Sequence, residues 1–255
     1  MKPTVTVSIV SHKQIDLVAE LLADIRDYCK DEALELILTL NLPEVMPFSV
    51  MSGYAFPFKF IHNRLPQGFG ENHNQAFKQA SGDFFCVLNP DIRVGRNIFA
   101  PLIEALEEGG HIGLVAPRVI HPDGGVEDSA RHFPTLGEIL RKVIGCSSRR
   151  SPLEPGNIVF PDWVAGMFML FPASVFREIG GFDTRYFLYY EDVDLCARLR
   201  LHGYRVALCQ DVTVIHNARR TSHRNLKYLR WHVTSMLRFF MSGSYRGIRH
   251  MPDKK

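Results

Sequence analysis

Along the first ninety residues the spacing of apolar positions switches repeatedly between two periods. Thr4 to Val10 is β-branched and uncharged, the pattern of a strand. Ile15, Val18, Leu22, Ile25 and Cys29 then recur at steps of three and four, the stripe of an amphipathic helix. Leu34 to Leu40 is apolar almost throughout, as strands covered on both faces are. Beyond a segment carrying Pro43, Pro47 and Pro57, the pattern predicts a strand over Phe58 to His62, a helix over Glu71 to Ala80 and a strand over Phe84 to Leu88. Alternating strands and helices predict an α/β fold on a parallel sheet.

The second half is less regular. Pro122-Asp123-Gly124-Gly125 is a turn sequence. A helix is expected over Leu136 to Ile144, a mobile loop over Cys146 to Gly156 and a strand over Phe168 to Phe171. Glu191 to Leu201 is expected to be helical, with short strands at Arg205 to Leu208 and Val212 to Ile215.

Composition narrows the class. The 255 residues are 46% hydrophobic and 22% charged, a globular balance that suits one large domain or two fused halves. Five cysteines, an odd number with no pair spaced two apart, indicate neither a disulfide framework nor a zinc site. A reduced, cytoplasmic compartment follows. The apolar start is too short for a signal peptide, and no run approaches the ~18 apolar residues of a membrane span.

The net charge of +3 is unevenly placed. Residues 219–255 hold ten Lys or Arg and one acid, leaving the rest of the chain net negative. If Leu226 to Met241 is helical, Leu229, Val233, Met236, Leu237 and Phe240 form one apolar stripe beside basic residues. Such a stripe can pack on the body or lie on an anionic membrane surface, and the two are not exclusive. Nucleic acid is not expected, because no recognised binding motif accompanies the basic tail.

Four constellations carry candidate chemistry. Leu88-Asn89-Pro90-Asp91 ends an apolar strand in polar residues, where open parallel sheets bind ligands. Asp91 is a hard oxygen ligand suited to Mg²⁺ or Mn²⁺, and the same residues also make an ordinary Asn-Pro-Asp turn. Glu191, Asp192 and Asp194 open a helix after an aromatic approach. Acids in a first turn complement the helix dipole, while three crowded together can raise one carboxyl toward a useful base. His216 closes an apolar strand and becomes a ligand only if it meets Asp91. Gly68-Phe69-Gly70-Glu71-Asn72-His73-Asn74 places glycines before a helix, which lets backbone N–H groups approach phosphate or sugar.

Together these segments resemble the inverting GT-A glycosyltransferases of the family 2 type, in particular their rhamnosyltransferase-like branch. The matching elements also include Val7 to His12, Asn63, Ser129-Ala130-Arg131-His132-Phe133-Pro134, Trp163-Val164-Ala165-Gly166, Gly180-Gly181-Phe182-Asp183 and Val214-Ile215-His216. They occur in the family's order over residues 4 to about 240.

The resemblance implies a GT-A fold, a mostly parallel nucleotide-binding sheet with helices on both faces fused to an acceptor-binding half. The expected domain is 1–218, divided near residue 130, with 219–255 as a helical tail. It implies Asp192 as catalytic base with Glu191 in reserve, and Asp91 and His216 as metal ligands. Ser11, His12, Asn41, Gly68, Phe69, Gly70, Asn72, Asn74, Asn89, Asp91, Trp163 and Gly166 would line the donor site. The partners implied are a nucleotide-diphosphate sugar and a glycan or lipid-linked acceptor, in cell-surface polysaccharide synthesis such as that of O-antigen. The donor ranked first is dTDP-rhamnose, with UDP sugars second. One departure is that the family's acid after the second strand is missing, leaving Asn41. The rival readings are a non-catalytic sugar-binding protein and a nucleotidyltransferase, which would need a Gly-rich basic loop where Ser11-His12-Lys13 stands.

Overall fold

The computed structural model describes residues 2–45, 56–135, 137, 157–217 and 226–251. Strands β1 (Thr4–Ser11), β2 (Ala33–Leu40), β3 (Phe58–His62) and β4 (Phe84–Leu88) pair in parallel in the order β3-β2-β1-β4. Beyond β4 comes β10 (Phe168–Pro172), antiparallel to β4 and to β6 (Ile112–Ile120). Next to β6 lies β11 (Arg205–His216), parallel to it, and β5 (Ile92–Arg93) closes the order antiparallel to β11. Short β8 (Ile158–Val159) also pairs with β11, while β7 (Ala130–Arg131) and β9 (Trp163–Val164) form a separate ribbon.

Alternation along β1 assigns its two faces. Val5, Val7 and Ile9 join a core with Val18, Leu21, Leu22 and Ile25 of α1 (Ile15–Tyr28) and Phe99 and Leu102 of α3 (Phe99–Glu108). Thr6 and Ser8 point the other way, and both buried hydroxyls are satisfied. Thr6 donates to Glu35 at 2.6 Å, and Ser8 Oγ lies 2.8 Å from His73 Nδ1. The second face is covered by α2 (Phe69–Phe77), α4 (Ala173–Glu178) and α5 (Glu191–Leu201), through Ala76, Phe176, Leu195 and Leu199. Helices thus cover both faces of a mostly parallel sheet, as expected. Cys29, Cys86, Cys196 and Cys209 are buried and free.

Three local expectations change. The segments expected as two short strands form one, β11, because a bulge between Cys209 and Thr213 absorbs the polar residues and keeps pairing with β6. Residues 92–120 hold α3 and β6, which the pattern alone does not assign. Pro101 sits in the first turn of α3, where its missing N–H has no helical partner to lose, and Pro117 lies within β6. The helix expected from Glu71 is α2, which starts at Phe69 and ends at Phe77. Apart from residue 137, the helix expected over Leu136 to Ile144 and the loop over Cys146 to Gly156 fall outside the described residues.

The tail is helical in α6 (Leu226–Met241) and α7 (Gly243–Arg249). Phe239, Tyr245 and Ile248 pack on Tyr186, Val193 and Ala197. The expected stripe is not the packing face: Leu229, Val233 and Leu237 are exposed, and Met236 and Phe240 half-buried. No helix among the described residues is long and apolar enough to cross a membrane.

Candidate active site

In-register parallel pairing ends β1, β2, β3 and β4 at one edge, with Ser11 opposite Leu40 and Leu40 opposite His62. The polar residues that follow each strand therefore collect in one cleft. Asn41, almost fully buried, is its hub. Its side chain accepts from Gln67 N at 2.7 Å and Asn63 Nδ2 at 2.9 Å, donates to Gln67 O at 3.0 Å, and lies 3.2 Å from His12 Nδ1. Asn63 continues the chain to Asn72 Oδ1 at 2.6 Å. Ser11 Oγ accepts from Gln14 N at 3.2 Å. Burial lowers the His12 imidazole, with Glu44 opposing and the nearby Lys227 adding to the effect.

Asp91 and His216, 125 residues apart, meet through the β5–β11 pairing, which sets His216 opposite Ile92. His216 Nε2 lies 3.1 Å from Asp91 Oδ2, and His216 Nδ1 lies 2.7 Å from Glu127 Oε2. Burial opposes charge on the ring, but the hydrogen bonds and charges of Asp91 and Glu127 outweigh it and raise its pKa. Asp91 Oδ1 is buried without a hydrogen-bond partner. An orphaned carboxylate oxygen beside an imidazole nitrogen, with Glu127 orienting the ring from behind, fits a divalent cation. Among the described residues no group of three or more His, Cys, Asp or Glu is arranged to hold a metal ion. A cation here would therefore take its remaining oxygens from ligand and water.

Asp192 approaches from the other half. Asn89 N donates to Met167 O at 2.9 Å, which fixes the adjacent Gly166 beside the strand end. Gly166 N in turn donates to Asp192 Oδ2 at 3.1 Å, and Val193 N donates to Asp192 Oδ1 at 2.8 Å. Burial raises the Asp192 carboxyl, against those two donors and the charge of Arg131. Tyr189 and Tyr190 precede this helix with φ of 69° and 65°, two consecutive left-handed residues without glycine, a strained reversal of the kind held at functional sites.

The three acids of α5 have separate environments. Glu191 is buried, its Oε2 has no partner, and burial followed by the charge of Asp192 pushes its carboxyl well above the usual range. Of the pair, Asp192 has two N–H donors to support a carboxylate, whereas Glu191 Oε2 has none. Asp194 is spent on Arg198, at 2.8 Å one turn along the helix.

The glycine segment also has a packing reason. A Cβ on Gly68 would lie 2.8 Å from Phe187 O, the same oxygen that accepts from Phe69 N. A Cβ on Gly70 would lie 2.5 Å from Phe182 Cβ. Both glycines thus permit close approach of protein. Phe69 packs between Gly166, His73 and Phe182, and Asn74 grips the N–H and C=O of Phe182 at 2.9 and 2.8 Å. For Gly70→Ala the overlap is with a Cβ, which cannot swing aside. The cost then lies toward the upper end of about 1–3 kcal/mol and outweighs the roughly 1 kcal/mol that Ala gains over Gly in a helix. Urea unfolding should show a lower midpoint, and an unchanged or higher one refutes this packing account.

Sequence reasoning missed Glu127 and gave no role to Arg131. Glu127 carries no motif and reaches His216 only because the turn at Gly124 brings Glu127 N onto Val119 O. Arg131 bonds Asp128 at 3.0 Å, and its guanidinium lies 5.4 Å from the centre of the Trp163 ring, whose Nε1 donates to His132 O at 2.9 Å.

A mostly parallel sheet with an acidic cleft at its strand ends is the layout of a GT-A glycosyltransferase. Comparison with known proteins bears this out. The model of glycosyl transferase family 2 matches residues 6–179, and that of a glycosyltransferase-like family 2 matches residues 135–234. Rhamnosyltransferase WbbL of Escherichia coli K12 is 30% identical over 246 residues, 92% of each chain. The N-acetylglucosaminyl-diphospho-decaprenol L-rhamnosyltransferase of Mycobacterium tuberculosis is 32% identical over 64% of this chain, which spans 56% of that enzyme. Among solved structures, GalNAc-T7 with UDP, GalNAc and Mn²⁺ superposes with a TM-score of 0.70 at 15% identity, over 94% of this chain and 48% of that one. The mannosyltransferase PcManGT of Pyrobaculum calidifontis, with GDP-Man and Mn²⁺, gives 0.67 at 17% identity, over 99% and 66%. The chain belongs to glycosyl transferase family 2 and is a rhamnosyltransferase-like glycosyltransferase.

Proposed function

We propose that this glycosyltransferase moves a sugar from a nucleotide diphosphate onto an acceptor hydroxyl with inversion, using Asp192 as the base. The observation that carries this reading is the Asp192 carboxylate, half-buried, raised in pKa and oriented by two backbone N–H groups beside the strand-end cleft. A hydroxyl placed at Asp192 loses its proton to the carboxylate as its oxygen attacks the anomeric carbon from the face opposite the diphosphate. One displacement suffices, so no protein nucleophile is needed. Asp91 and His216 would hold Mg²⁺ or Mn²⁺, which when bound supplies positive charge to the leaving diphosphate. Screening nucleotide sugars for release of nucleotide diphosphate tests the reading, and no release from any donor with any polyprenyl-linked acceptor defeats it.

For the donor we infer dTDP-rhamnose first and UDP sugars second, supported by the names of the Escherichia coli and mycobacterial relatives. The mycobacterial name also supports a lipid-linked acceptor, and hence work at the cytoplasmic face of a membrane. The nucleotide is expected to bind over the Asn41 hub, where an amide replaces the family's acid. Calorimetry should show dTDP bound more tightly than UDP, and the opposite order reverses the ranking.

A further inference from the structure

The apolar ridge of α6 lies on the side that does not pack. Leu226, Leu229, Val233, Leu237 and Met241 recur at steps of three and four, and are 82, 59, 40, 52 and 73% exposed. The opposite face holds the helix in place: Trp231 stacks on Phe187 with ring centres 4.6 Å apart, Ser235 Oγ donates to Leu188 O at 2.9 Å, and Phe239 is fully buried. A contiguous apolar ridge left in water marks an interaction surface.

Charge identifies what covers it. Neither α6 nor α7 contains an acid. Lys227 and Arg230 are exposed and lie along one flank of the ridge by helical spacing, and Arg246 and Arg249 are exposed on α7. Pairing the ridge with that of a second copy would set these cations against their own counterparts with no acid on either helix to offset them. An anionic lipid surface takes both the ridge and the cations.

We propose that α6 is a membrane-seating helix, its ridge of Leu226, Leu229, Val233, Leu237 and Met241 lying in the headgroup layer of an anionic bilayer. The same helix fastens the loop that leads into the base. His232 packs 5.3 Å from Tyr189 and 5.5 Å from Tyr190, and Glu191 and Asp192 follow directly. At its other end Lys227 is near enough for its charge to act on His12. Seating α6 therefore sets the mouth of the cleft at the lipid surface, within reach of an acceptor whose anchor stays in the bilayer. The inference rests on the lipid-linked acceptor for its purpose, but vesicle binding needs neither donor nor metal and so fails or succeeds separately from the chemistry.

The test is flotation of the full chain with vesicles of equal parts phosphatidylcholine and phosphatidylglycerol at low salt. The unmodified protein is expected to bind these and to bind phosphatidylcholine vesicles more weakly. Leu229→Ser with Leu237→Ser, both at exposed positions, should lower the partition coefficient roughly tenfold or more with unchanged circular dichroism. Arg230→Gln should lower it about fivefold, as about 1 kcal/mol per charge implies. Failure of the unmodified protein to bind overturns the proposal, and so does binding untouched by the leucine changes. A dimer in sedimentation that the leucine changes dissolve, without vesicle binding, assigns the ridge to a second copy instead.

Discussion

Asp192→Asn is expected to lower kcat by about 10²–10⁴-fold, the usual worth of a positioned general base, while donor affinity changes little. The amide keeps the size of the carboxylate, and its oxygen can still accept from Gly166 N or Val193 N, so the change costs one backbone hydrogen bond and proton acceptance while the fold survives. Glu191→Gln is the matched control. Because Glu191 is buried, without a partner at Oε2 and with its carboxyl pushed well above the usual range, its neutral amide should leave most of kcat intact. The pH profile gives an independent reading. A base must be deprotonated to act, so activity falls as pH drops through its pKa. Burial raises that pKa, which shifts the acid limb of kcat/KM upward from the position of an ordinary aspartate. Near-normal turnover in Asp192→Asn with loss in Glu191→Gln would transfer the role to Glu191.

Removing the cation is expected to have a comparable effect. Charge stabilisation of a leaving diphosphate is worth several kcal/mol, or about 10³-fold or more in rate. Excess EDTA should thus reduce turnover to background, and added Mn²⁺ or Mg²⁺ should restore it. Asp91→Asn tests the ligand directly, because it removes the charge from the orphaned oxygen while retaining its shape. Calorimetry of Mn²⁺ in the presence of nucleoside diphosphate should show weakened binding in Asp91→Asn and in His216→Ala, a readout that does not depend on turnover. Full activity in EDTA would remove the metal from this account.

Much of the scaffold is legible in the chain because it is local. The period change from Thr4 to Leu88 reports which residues are covered, and coverage is what makes β1, β2, β3, β4 and α1. Strand ends followed by polar residues marked the cleft edge for the same reason, since the residues after β1, β2 and β4 leave the core together. Prolines 101 and 117 hid α3 and β6, because a helix's first turn and a β-strand can accept a proline that local rules count against them. The bulge in β11 stayed hidden because its polar residues matter only against β6.

The sequence by itself determined the parallel α/β sheet, the order of the motifs, and the residue types available to it: Asp91, Glu191, Asp192 and His216. Tertiary structure decided the surroundings of each. The three acids opening α5 read alike along the chain, yet one is buried without a partner, one faces Gly166 and one is paired with Arg198. Glu127 became the third member of the Asp91–His216 group through strand pairing, and Gly68 and Gly70 proved to make room for Phe187 and Phe182. Hydrophobic spacing predicted the stripe on α6 but not which face would be covered, because Trp231, Ser235 and Phe239 find their partners on helix α5 and the loop before it, distant in the chain. Periodicity encodes burial within an element, whereas a charge, a ligand or a docking face is defined by neighbours that only the packed chain brings near.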